Sequence, residues 1–399
     1  MKLLNRVGCV ATVLVGACGV SCGQEPPKGA PGAEPASAAD AGRMEVASMK
    51  VLEEGKDYAV ETVVENVQVP WAFAWTSPDR MLFTERAGRI RVVEGGKLAE
   101  KPLHEIAVRT GGEIGLMGLC VHPEYAANKF VYVAYGTKED VRVVRLVDRG
   151  DSLGDEKVIL EGIPAARNHA GCRVKFGPDR KLYITAGDST NNTLAPDLSS
   201  LAGKIHRVND DGSIPDDNPF VGKDGAKPSI WSYGHRNTQG IDWDTTGMMA
   251  ESEHGPTGDG APPGYDECNI VVKGHDYGWP AAWGSKTKEG ADAPVVVWHP
   301  SVAPASGCFY RGELFPAWKD SFLVGHLGGL RREPQPGICR VMFKNGKVVG
   351  QERMATTYGR IRCVEVGPDG AVYFSTSNED GRGRPRAGDD KILRIVPMK

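Results

Sequence analysis

Arg173-Val174-Lys175-Phe176-Gly177-Pro178-Asp179-Arg180-Lys181-Leu182-Tyr183-Ile184-Thr185 reads as a strand, a Gly-Pro-Asp turn and a returning strand. Pro presets the turn, Asp accepts backbone N–H groups within it, and aromatic or β-branched residues fill the flanks. The same pattern recurs along the chain. Trp71 to Trp75 leads through Ser77-Pro78-Asp79 to Met81 to Thr84, and Leu119 to Val121 through His122-Pro123-Glu124 to Phe130 to Val133. Gly240 to Trp243 leads through Asp244 to Gly247 to a short strand before Glu253. Gly307 to Tyr310 leads through Arg311-Gly312 to Ser321 to Val324, and Cys363 to Val366 through Gly367-Pro368-Asp369-Gly370 to Ala371 to Phe374. Six units at spacings of roughly 45 to 70 residues suit propeller blades of four strands each. The expected fold is an all-β six-bladed β-propeller with four-stranded antiparallel blades. The alternative, a β-sandwich with accidental turn similarity, does not account for the regular recurrence.

Composition agrees with many short strands and tight turns: the 399 residues include 51 Gly and 27 Pro. The formal net charge is −3 and no long basic run is present, which argues against a nucleic-acid partner. At the N-terminus, Lys2 and Arg6 precede a short apolar core, Val7 to Val15, too short to span a bilayer as a helix. Leu14-Val15-Gly16-Ala17-Cys18 resembles the bacterial lipobox, so residues 1–17 are expected to be a lipoprotein-type signal and Cys18 the lipidated residue. Cys22 is a weaker candidate, and a plain secreted protein is the other reading. Residues 18–50, rich in Pro, Ala and Gly at first, are expected to form a flexible tether and 51–399 the propeller. The protein is then exported and lipid-anchored to the cell envelope, with the outer membrane or periplasm as its address. The body holds six cysteines, Cys120, Cys172, Cys268, Cys308, Cys339 and Cys363, without a Cys-x-x-Cys pair, which argues against a thiolate zinc site. Their pairing is not legible from sequence.

A propeller gathers the loops of all blades around one cavity, so polar residues at equivalent ends of the units are the ones to compare. Before the quoted stretch stands Arg167-Asn168-His169-Ala170-Gly171-Cys172, and after it Gly187-Asp188. The hairpin brings His169 and Asp188 to one mouth, the geometry of a general base held by a carboxylate; taken alone, a surface histidine beside a turn aspartate is the simpler reading. Four further segments stand at comparable places: Gly112-Glu113 to Gly118; Tyr233-Gly234-His235-Arg236-Asn237 to Gly240; Glu253-His254-Gly255-Pro256, followed by Asp266-Glu267 and Tyr277-Gly278-Trp279-Pro280; and Gly359-Arg360-Ile361-Arg362. Singly, an Arg-x-Arg strand is ordinarily a solvated face, Gly-Pro a turn and Asp266-Glu267 surface charge.

Together and in this order the five segments resemble the soluble pyrroloquinoline-quinone (PQQ) glucose dehydrogenase and aldose sugar dehydrogenase family, also called glucose/sorbosone dehydrogenases, from about Val69 to the last strand. The resemblance implies PQQ- and calcium-dependent oxidation of an aldose or related alcohol, with electrons passed to an acceptor such as a cytochrome or quinone. By the same resemblance His169 is the base that takes the hydroxyl proton while hydride leaves the anomeric carbon, Asp188 orients it, and Arg236 stabilises charge on the quinone oxygen. Asn237, Arg360 and Arg362 are implied to bind the cofactor, the carbonyls of Gly255 and Pro256 to bind calcium, and Glu113 to lie near the substrate. Departures exist. Leu327-Gly328-Gly329 stands where the glucose enzymes have a cofactor-binding lysine, with Arg331 or Arg332 as substitutes; Asn168, Cys172 and His254 replace an aspartate, a glycine and a glutamine; and Thr257 to Tyr265 is an insertion. Two rival readings follow: a non-catalytic propeller that binds a carbohydrate or protein, and a calcium-dependent lactonase-type hydrolase, since fold does not fix function.

Overall fold

The computed structural model describes residues 48–329, 335–382 and 385–398. The signal, most of the tether and the proposed substitutes Arg331 and Arg332 lie outside the described residues. Within them the expected propeller is found: six antiparallel four-stranded sheets, whose first hairpins are the six units read from the sequence. Blade one starts with Pro70–Ser77 and Arg80–Glu85, blade two with Leu116–Val121 and Phe130–Gly136, and blade three with Val174–Phe176 and Leu182–Ala186. Blades four, five and six start with Thr238–Trp243 and Met249–Glu253, Pro304–Phe309 and Ser321–His326, and Ile361–Val366 and Val372–Thr376. The first strand of each is innermost, and successive blades contact one another around the ring, with blade six back against blade one.

The ring is closed by the N-terminal part of the chain. Ala59–Val64 forms the outer strand of blade six against Ile392–Val396, and Lys50–Val51 adds in parallel to Lys347–Met354 at the edge of blade five.

The turn residues earn their recurrence through contacts. In blade three, Asp179 accepts from Lys181 N at 3.1 Å and from Tyr183 Oη at 3.1 Å; in blade six, Asp369 accepts from Ala371 N at 3.1 Å and from Tyr373 Oη at 3.0 Å. The tyrosine ring lies so close over the turn that a Cβ on Gly177 would stand 2.7 Å from Tyr183, and one on Gly367 would collide with Tyr373. Apolar side chains fill the spaces between blades, among them Phe309, Phe322, Trp298 and Phe374, each at most 0% exposed; burying each contributes roughly 2–3 kcal/mol. All six body cysteines are buried and free.

On the axis, inner strands supply charge. Lys175 of blade three bonds Glu365 of blade six at 3.0 Å and approaches Asp242 of blade four at 3.4 Å. Nearer the other end, the guanidinium of Arg173 lies over the Trp71 ring at 4.1 Å, and that of Arg362 at 5.9 Å. Trp71, 1% exposed, thereby floors the mouth described next.

Candidate active site

In an antiparallel hairpin the start of the first strand and the end of the second lie at the same edge. His169 precedes blade three's first strand and Asp188 follows its second, so both stand at one face of the ring. The same argument places Glu113, Asn237 and Arg360 before first strands, and His254 to Pro256 and Asp380 after second strands.

The side chains meet there. His169 Nδ1 lies 2.6 Å from Asp188 Oδ1, and both residues are buried. Asp188 is fixed in turn: its Oδ2 accepts from Trp279 Nε1 at 2.8 Å, its Oδ1 from Thr190 N at 2.8 Å, and its own N–H donates to the Arg236 carbonyl at 2.7 Å. An ionised carboxylate on Nδ1 sets the tautomer, with the proton on Nδ1 and a lone pair on Nε2. Nε2 has no hydrogen-bond partner among the described residues. The backbone of His169 is left-handed, with φ +55°, an uncommon setting for a non-glycine residue. Glu113 Oε2 holds it there by accepting the His169 N–H at 2.9 Å.

Glu113 is the hub of the predicted set. Besides His169 it accepts from Asn237 Nδ2 at 3.1 Å and from Arg382 Nη2 at 3.3 Å. Burial alone would raise its carboxyl, but His254, Arg382, His169 and Arg362 together pull it down to about 2. Asn237 Oδ1 accepts from Gln239 Nε2 at 3.0 Å and from Gly171 N at 3.3 Å. Gln239 in turn lies 3.4 Å from Arg362 Nη1.

Arg360 and Arg362 converge on one carboxylate that sequence reasoning passed over. Asp380 Oδ2 accepts from Arg360 Nη2 at 2.8 Å and lies 3.8 Å from Arg362 Nη2, while Arg360 Nη1 donates to the Leu327 carbonyl at 2.8 Å. The Leu327-Gly328-Gly329 segment thus meets the site through a backbone carbonyl that holds Arg360. Arg362 is the less satisfied of the two: burial pulls its guanidinium down to about 10, and its Nε is buried without a partner among the described residues. Arg173 Nη2 and His254 Nε2 share that condition. Burial also holds the His254 ring neutral, pulled down to about 4.

Asp266 and Glu267 are buried, not surface charge. Asp266 Oδ1 accepts from Gly255 N at 2.7 Å and its Oδ2 from Val302 N and Ala303 N, each at 2.7 Å, which fixes the Gly255-Pro256 turn. The Pro256 carbonyl accepts from Gly264 N at 2.9 Å. A cleft of about 840 Å³ between blades one and two, lined by Arg80, Tyr125, Lys129 and Asp148, carries none of these residues.

Trp279, Asp380, Asp259 and Arg382 are the site residues that motif reading did not assign a role. Trp279 stood inside a quoted segment. The others lie in loops without a recurring pattern.

Comparison with known proteins points one way. The family model for Glucose / Sorbosone dehydrogenase matches residues 67–393. The aldose sugar dehydrogenase YliI of Escherichia coli is 34% identical over 366 residues, spanning 85% of this chain and 92% of that protein. Quinoprotein glucose dehydrogenase B of Acinetobacter calcoaceticus is 30% identical over 270 residues, 59% of this chain and 55% of that one. The PQQ-bound aldose sugar dehydrogenase of Streptomyces coelicolor superposes with a TM-score of 0.74 at 32% identity, covering 85% of this chain and 98% of that structure.

Proposed function

The chain belongs to the glucose/sorbosone dehydrogenase family, and we propose that it oxidises an aldose, or a related alcohol, to the lactone with PQQ and calcium, using His169 as the general base. The oxidoreductase class follows from the family; cofactor, metal, base and product are the proposal. The observation that carries it is the buried His169–Asp188 pair at 2.6 Å beside arginine and histidine nitrogens that no side chain answers.

Those orphaned donors are the fit for an anionic cofactor. A buried polar atom without a partner is costly, and carboxylate or quinone oxygens would relieve Arg362 Nε, Arg173 Nη2 and His254 Nε2. Arg362 and Arg360 would hold the cofactor carboxylates, with Asn237 hydrogen-bonding the ring system. The carbonyls of Gly255 and Pro256 would hold calcium, which favours such hard oxygen ligands. When bound, PQQ supplies the two-electron oxidant that accepts the hydride leaving the sugar.

The chain's own residues do the rest. His169 takes the sugar hydroxyl proton on Nε2, and the imidazolium that forms is stabilised by Asp188 through Nδ1–H. Trp279 and Thr190 keep Asp188 aimed. Glu113 fixes the His169 backbone. Arg236, expected to stabilise charge on the quinone oxygen, instead gives its Nε–H to Asp259 at 2.9 Å, so its positive potential is largely spent within the chain.

The test is a PQQ titration of the purified chain with and without chelator, followed by dye reduction with a panel of aldoses. Arg362→Ala should weaken PQQ binding by roughly 2–5 kcal/mol. Absence of saturable, calcium-dependent binding in wild type would sink this reading in favour of a ligand-binding propeller. The export and lipid anchoring through Cys18 to the envelope belong to the same proposal.

A further inference from the structure

The insertion Thr257 to Tyr265 does not hang free of the mouth. Arg236 is 1% exposed, and each arm of its guanidinium is taken by the chain itself. Nε donates to Asp259 Oδ2 at 2.9 Å, Nη2 to Thr257 Oγ1 at 3.0 Å and Nη1 to the His254 carbonyl at 3.2 Å. Asp259 is anchored on two sides: its Oδ1 accepts from Thr257 N at 2.8 Å, and its carbonyl accepts from Asn192 Nδ2 at 3.1 Å. The loop therefore reaches from blade four to the segment that follows Asp188 in blade three. A carboxylate oxygen of Asp259, one of Asp188 and a ring nitrogen of His169 lie within 4.8 Å of one another. Burial raises the Asp259 carboxyl, yet the Thr257 N–H and Arg236 outweigh this and hold it below the ordinary range.

We propose that Asp259 is a specificity-determining residue: it fills the anion position on Arg236 beside His169, so the mouth admits neutral polyols and turns away sugars that carry a carboxylate or phosphate. The inference rests on the sugar-oxidising reading above and deepens it. An acidic sugar entering here meets two like charges, Asp188 and Asp259, and finds Arg236 already answered. Discrimination of this kind works by repulsion of the wrong ligand. A neutral sugar meets no such penalty, and its hydroxyls can donate to the free lone pairs of Asp259.

The experiment uses the full chain. Wild type and Asp259→Asn, each supplied with saturating PQQ and calcium so that the arginines of the mouth are answered, are titrated calorimetrically with glucose, with glucuronate and with glucose 6-phosphate, and turnover of the same sugars is followed. Asp259→Asn keeps the shape and one acceptor for Arg236 but removes the charge. It should raise binding and kcat/KM for the acidic sugars relative to glucose by about tenfold or more. Asp259→Glu keeps the charge and should keep the wild-type preference. A ratio in Asp259→Asn within about twofold of wild type, or a Glu variant that behaves like the Asn variant, overturns the proposal. A shifted binding ratio in proteins that turn over no sugar refutes the dehydrogenase reading and leaves the role of Asp259 standing.

Discussion

Replacing Glu113 with Gln removes one negative charge from a place where the structure has gathered positive partners. Glu113 accepts from the His169 and Asn237 N–H groups and from Arg382, and it is 9% exposed. Its carboxyl is pulled from the ordinary 4.5 to about 2. At roughly 1.4 kcal/mol for each tenfold change in proton affinity the full shift would be worth about 3 kcal/mol, but His254, the first of the charges behind it, is neutral at pH 7, so the ionised form contributes about 2 kcal/mol there. The sign follows from the direction. A carboxylate whose folded pKa is depressed stabilises above its unfolded value and loses that contribution as pH falls from about 4.5 towards 2. Gln supplies an N–H where one of the donors needs an acceptor, so Glu113→Gln should be less stable than wild type by about 2 kcal/mol at pH 7. The gap should shrink to below about 1 kcal/mol at pH 3, because the unfolded wild type then takes up the proton that the folded carboxylate still lacks. Urea denaturation of both proteins at the two pH values measures this directly. A gap of equal size at pH 7 and pH 3 would refute the electrostatic account and leave only a packing effect.

His169→Gln should lower kcat for sugar oxidation about a hundredfold or more while leaving PQQ affinity near wild type, and Asp188→Asn should lower it less; sugar oxidation near the wild-type rate would remove His169 from the chemistry. Gly187→Ala should cut turnover up to about a hundredfold without unfolding the protein, because a Cβ there collides with the His169 carbonyl and would shift the base; unchanged kcat with an unchanged circular dichroism spectrum would show that the loop gives way freely. Cys18→Ala should move the protein from the membrane fraction to the soluble one, since the Pro-, Ala- and Gly-rich sequence that follows offers no long apolar run as another anchor; fractionation that finds it still membrane-bound would end the lipobox reading.

The hairpin units were legible because their turns repeat a local requirement: Gly177 and Gly367 make room for a tyrosine ring, and the aspartate two residues on holds that tyrosine's hydroxyl. The aromatic and β-branched residues flanking each turn then marked the strands. The His169–Asp188 pair was legible for the same reason, since a tight hairpin fixes which residues face each other across its open end. Partners contributed by separate blades were not. Trp279 of blade four holds Asp188 of blade three only because adjacent blades pack together, and nothing in the local sequence marks that meeting; Asp380 instead faces Arg360 and Arg362 across the open end of the blade-six hairpin, as Asp188 faces His169, but no recurring motif marks it. Asp266-Glu267 reads as surface charge by composition, yet the backbone N–H groups of Val302 and Ala303 come to Asp266 from the next blade's approach. The insertion was visible, but its destination at Arg236 was not.

The strand that shuts the ring has a bearing on the order of events when the chain is made. Ala59–Val64 is synthesised before the inner strands of all six blades, and its partner Ile392–Val396 after them; Arg394 reaches Glu61 across 333 positions. Until that partner arrives, the early strand carries an open row of N–H and C=O groups, a template for pairing with the wrong chain. Loop closure over such a separation adds only slowly to the entropy penalty, so the latch is weak in no thermodynamic sense; the exposure is one of time. A ribosome that stalls after blade five would release a chain with the edge of Ala59–Val64 unguarded.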